Sequence, residues 1–131
     1  MEADLKAVME RTLEITRSMN SKEKNRASNF IEFLSGKKGR LNKVLERVLR
    51  LLERKGYLTT GNSGNVMKDL MARPYSPAST RAMGSNTVNM YAALKVIEPD
   101  GKGRYVANPD SLLLAKARSL LAAPATEAAA V

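Results

Sequence analysis

Five cations recur at three- and four-residue spacing in the middle of the chain: Arg40, Lys43, Arg47, Arg50 and Arg54. At 100° per residue this spacing gathers them on one side of a helix. Like charges so placed repel, each pair costing about 0.2–0.5 kcal/mol in an isolated helix. Only Glu46 and Glu53 lie among them to offset this. A polyphosphate would turn the repulsion into attraction by releasing its condensed counterions, and Lys37 and Lys38 just upstream extend the same patch. The competing explanation is a solvated face whose long side chains cover apolar surface.

A second constellation runs from Ser79 to Asn89. It sets Arg81 among Ser85, Asn86, Thr87 and Asn89, short hydrogen-bonding side chains of the types that reach base edges and phosphates. The plainer alternative is a polar loop capping a surface helix. Lys102 and Arg104 form a third group, at the tip of an expected hairpin, where they either meet a phosphate backbone or guard a strand edge.

What the chain lacks narrows the chemistry. With no cysteine there is no disulfide frame, thiol nucleophile or thiolate metal site, and with no histidine there is no imidazole base. Neither G-x-x-x-x-G-K-[ST] nor G-x-G-x-x-G occurs. From residue 61 onward the carboxylates are Asp69, Glu98, Asp100, Asp110 and Glu127, too dispersed for a two-metal site. We therefore expect no enzyme, no cofactor and no metal. With 131 residues, 44% of them apolar, the chain has material for one ordinary domain with a core. Its 22 Lys and Arg against 13 Asp and Glu leave a net charge of +9, for which a polyanion is the natural partner. No apolar run reaches a membrane-spanning length and the first residues are acidic, so a cytoplasmic protein is expected, nucleoid-associated if it binds DNA, with no membrane partner.

The elements that must position these groups follow from periodicity. Leu5, Val8, Met9 and Met19 mark a first amphipathic helix within 3–19. Ala27, Phe30, Ile31, Phe33 and Leu34 mark a second that stops at Ser35-Gly36. A third helix, Leu41 to Lys55, carries Leu41, Val44, Leu45, Val48, Leu49 and Leu52 on one face and ends at Gly56. Asn65 is expected to cap a short helix with Val66, Met67, Leu70 and Met71 inward, stopped by Pro74. Ser76-Pro77 starts another, and Gly84-Ser85-Asn86 either turns the chain before a helix over Thr87 to Leu94 or lies inside one kinked helix. Lys95 to Glu98 and Arg104 to Ala107 flank Pro99-Asp100-Gly101-Lys102-Gly103 as a hairpin. A last helix spans Leu112 to Leu121. The fold class expected is mainly α with one small β-hairpin, an α+β arrangement in which a helical bundle leads into a nucleic-acid-binding region. Its parts are 1–36, a helical region that could dimerise, 37–121, the binding region, and 122–131, a disordered Ala-rich tail.

This order of elements resembles the winged helix-turn-helix family. The likeness covers Leu41 to Val106 and is carried by Met83-Gly84-Ser85-Asn86-Thr87-Val88-Asn89 and by Leu94 through Val106. In that family the second of the paired helices lies in the major groove and the hairpin wing touches the backbone or minor groove. The resemblance implies that Arg81, Ser85, Asn86, Thr87 and Asn89 belong to the turn and recognition helix, and that Lys102 and Arg104 form the wing. The function expected is a non-catalytic DNA-binding protein, a transcriptional regulator or DNA-organising factor, which as a homodimer would read paired half-sites. The alternatives are a small basic factor docking on an acidic protein partner and an RNA-binding protein.

Overall fold

The computed structural model describes residues 2–37, 39–61, 64–71 and 77–130. These form a mainly helical α+β structure with one small antiparallel hairpin, the class expected. In chain order the elements are α1 (Glu2–Thr16), α2 (Ser21–Leu34), α3 (Lys43–Lys55), α4 (Asn65–Met71), α5 (Pro77–Ala93), β1 (Ile97–Pro99), β2 (Tyr105–Ala107) and α6 (Leu112–Ala130).

Local chemistry sets the helix ends. Asn20 caps α2, its Oδ1 accepting the Glu23 amide at 2.8 Å while its Nδ2 donates to the Glu23 carboxylate at 3.1 Å. Asn42 caps α3 by accepting the Val44 amide at 2.9 Å, and its own amide donates to Asn29 Oδ1 on α2 at 3.0 Å, which ties the two helices. Gly56 ends α3 at φ 82°, a left-handed conformation that glycine adopts without strain, and its amide donates to Leu52 O at 2.7 Å. Asn65 does not cap α4 as expected. Its side chain instead accepts the Thr59 amide and donates to Tyr57 O, holding the loop after α3 against the start of α4.

The core runs continuously from α2 to α6. Ala27, Phe30, Phe33 and Leu34 of α2 join the leucine face of α3, Val66 and Leu70 of α4, Val88, Met90 and Tyr91 of α5, and Leu113, Leu114 and Ala117 of α6. Phe30 meets Tyr91 edge to face, centroids 5.3 Å apart, a geometry that adds about 0.5–1.5 kcal/mol to the gain from burial. The Tyr91 hydroxyl donates to Leu45 O at 2.9 Å, so this buried polar atom is satisfied. Burial, reinforced by Glu46, pushes its ionisation well above the ordinary tyrosine value. On α1, the buried Thr12 and Thr16 hydroxyls donate back to Val8 O and Leu13 O, both at 2.7 Å, which lets them face inward.

Of the two paths left open at Gly84, the single helix holds and the turn does not: α5 is continuous from Pro77 to Ala93. Glycine stands there because α4 comes close, since an added Cβ would lie 3.2 Å from Val66 Cγ1 and 3.6 Å from Leu70 Cδ1. Met71 is half exposed instead of inward, because α4 is too short to keep both ends of its apolar stripe on the core. Helix α6 continues past its expected end at Leu121, spanning Leu112–Ala130. The expected stop at Pro74 lies outside the described residues.

The hairpin is shorter than its β-rich runs, pairing Ile97 with Ala107, Glu98 with Val106 and Pro99 with Tyr105. It gains a third partner from a distance in sequence. Leu58 bridges Tyr105, each amide donating to the other's carbonyl at 2.8 Å.

Candidate nucleic-acid interface

The exposed side of α5 is built by what its other side buries. Thr80, Gly84, Thr87, Val88 and Tyr91 recur at three- and four-residue spacing and face the core, which leaves Arg81, Ala82, Ser85 and Asn89 on the outer side with Asn86 half-buried at its edge. Arg81, Ser85 and Asn89, each four residues from the next, form one line along the helix. Gly84, by letting α4 approach, brings Val66 and Leu70 directly behind this line. Thr87, expected among the contacting residues, is 0% exposed and cannot serve: one position past Asn86 turns it by 100° onto the inner face. Its hydroxyl and that of Thr80 are buried without a hydrogen-bond partner.

The hairpin tip is organised by Asp100. Its Oδ1 accepts the Lys102 amide at 2.8 Å and the Arg104 amide at 3.3 Å, and its Oδ2 meets Arg104 Nε at 2.8 Å. The Lys102 amide bond, the largest influence, together with the contacts to Arg104 holds this carboxyl below its ordinary value against the opposing effect of desolvation. Arg104 also lies over the Tyr57 ring, 5.1 Å from its centroid. Gly101 and Gly103, at φ 82° and 78°, give the tip its tight path. Lys102, exposed between them, projects from the tip, whereas Arg104 is half-buried and works within the hairpin.

The α3 stripe is arranged differently from its expected form. Arg40 and Lys43 are exposed at its start, with Lys37 exposed at the end of α2; Lys38 lies outside the described residues. The other three cations are bound to carboxylates of the same chain. Arg47 meets Asp69 at 3.2 Å and its Nη2 donates to the Asp69 carbonyl at 3.2 Å. The Arg47 Nε contact with the carboxylate is an ion pair without hydrogen-bond alignment. Arg54 reaches the same carboxylate at 3.2 Å, and Arg50 pairs with Glu46 at 3.1 Å. With Asp69 only 14% exposed and Arg47 25%, this cluster fastens α3 to α4. The expectation of one unbroken cationic face is therefore corrected: Asp69, fifteen residues from Arg54 and twenty-two from Arg47, supplies the counter-charge that proximity in sequence did not show.

The structure thus brings Arg81, Ser85, Asn86 and Asn89 together on one helix, and places Lys102 at the end of the hairpin that follows it. Ala82, an alanine with no chemistry of its own to mark it in the sequence, is also exposed on this side of α5. Among the described residues no group of three Asp or Glu is placed to hold a metal ion, and no helix is long and apolar enough to cross a membrane. Comparison with family models, with curated proteins and with solved structures gives no match.

Proposed function

We propose that the protein binds duplex DNA without catalysing a reaction on it, in the manner of a winged helix-turn-helix module, and serves as a transcriptional regulator or DNA-organising factor. The observation that carries this reading is the outer face of α5, with Arg81, Ser85 and Asn89 in line and Asn86 beside them, backed by α4 and followed by a hairpin tipped with Lys102. The element order supports the same resemblance in a revised register. Helix α3, the Leu58 bridge, α4, α5 and the β1–β2 hairpin follow one another as helix, strand, helix, helix and wing. In this register α4 and α5 are the paired helices, α5 is the recognition helix, and Gly84 lies within it.

A helix of this composition suits the major groove, where Asn pairs with adenine and Arg with guanine through two hydrogen bonds each. Lys102 and the exposed Arg40 and Lys43 supply phosphate contacts, which carry affinity but no sequence information. The test is fluorescence anisotropy with a mixed-sequence duplex, the matching single strand and a structured RNA at two salt concentrations. Duplex is expected to bind most tightly and to weaken with salt. Preference for the RNA, or no salt dependence with any of the three, overturns the reading.

A further inference from the structure

Between α3 and α6, away from α5 and the hairpin, lies a cleft of about 540 Å³. That is within the range of about 300–1,000 Å³ typical of small-molecule sites. Its floor is apolar, made by Leu49, Leu114 and Leu121. Among the described residues its rim carries the guanidiniums of Arg50, Arg54 and Arg118 beside the carboxylate of Glu53. Each guanidinium meets its carboxylate through one nitrogen among the described contacts: Arg50 through Nε to Glu46, Arg54 through Nη2 to Asp69, and Arg118 through Nε to Glu53. A guanidinium carries five N–H donors, so capacity for a further anion remains on all three.

We infer that this cleft binds a small apolar carboxylate, its hydrocarbon body on the leucine floor and its carboxylate on Arg118 and Arg50 at the rim. Donor capacity selects the class. Each rim guanidinium is already matched by one carboxylate yet keeps further N–H donors, whereas Glu53 is held by Arg118 and is a poor acceptor for a cation, and the apolar floor gives a small inorganic anion nothing to bury. Glu53 occupies the place on Arg118 that the ligand's carboxylate takes, and the two compete for that guanidinium. Arg50, Glu53 and Arg118 are all about half exposed, so they can change partners without unfolding either helix.

The experiment is isothermal titration of the full chain with 2-naphthoate and, as a neutral control of the same shape, 2-naphthamide. The acid is expected to bind at one site and the amide at least roughly tenfold more weakly, the worth of a charge-assisted contact. Arg118→Gln and Arg50→Gln each weaken the acid severalfold. Glu53→Gln, which removes the internal competitor, tightens it. Equal binding of acid and amide, no saturable binding up to about 1 mM, or indifference to both arginine substitutions overturns the inference. None of these outcomes depends on whether the protein binds DNA.

Discussion

Helix α3 holds the densest run of cations in the chain, and α5 has a single one on its outer face. The first nonetheless serves largely to hold the molecule together, and the second carries the surface proposed for a partner. Three of the five α3 cations end on Glu46 or Asp69. The outer face of α5 carries hydrogen-bonding groups in a line along a rigid helix. Counting charge measures how strongly a chain can attract a polyanion; where it can grip one depends on which charges remain after folding.

The sharpest way to break this comparison is Asp69→Ala. If the carboxylate fastens α3 to α4, its loss leaves Arg47 half-buried without its partner and lowers stability by about 1–3 kcal/mol, measured by urea denaturation. Duplex affinity should rise, because two cations are released. A stability change without any gain in affinity would show that the stripe faces away from the DNA.

The converse change, Arg81→Glu with Lys102→Glu, should weaken duplex binding roughly 10- to 100-fold, with a shallower salt dependence. Unaltered anisotropy curves would remove α5 and the hairpin tip from the interface.

Tyr91→Phe probes the support behind α5. It should cost about 1 kcal/mol, the net worth of one buried hydrogen bond. The ionisation of Tyr91 is raised in the folded state, so its contribution is intact below pH 10.0, the ordinary tyrosine value, and declines as the pH climbs beyond it. The wild type should therefore lose stability in strong alkali more steeply than the variant does, as thermal melts on either side of that value can show.

The smallest effect concerns Asp100, whose carboxyl is held below its ordinary 3.8. The hairpin tip is fully braced above that value and loosens as the pH falls through the lowered one. The protection factors of the Lys102 and Arg104 amides, taken against the intrinsic exchange rate at each pH, should fall in acid, and Asp100→Asn should show the lower protection already at neutral pH.

Much of this architecture was legible in the chain. The leucine-and-valine face of α3 from Val44 to Leu52, its glycine stop and the Asp-Gly loop between β-rich runs each rest on local rules, though Leu41 precedes the helix, Leu51 is buried as well and Pro99 joins the strand. The site was less legible because its errors came from tertiary contacts. Gly84 looked like a turn because glycine breaks helices in isolation, whereas here it admits a neighbouring helix. Reading α5 as one helix would have sorted Thr87 inward, since Val88 and Tyr91 already marked that side. The reach from Arg47 and Arg54 to Asp69 has no short-range signal at all.

The bridge between Leu58 and Tyr105, together with the Arg104 guanidinium over Tyr57, moors the hairpin to the segment that leaves α3. A finger so anchored cannot swing freely to search for a phosphate. In the proposed complex it would meet a double helix already pointed, at a fixed offset from α5, and would lose little conformational freedom on landing. Such a molecule would discriminate by fit, accepting grooves whose width matches its built-in span and rejecting those that would require it to bend.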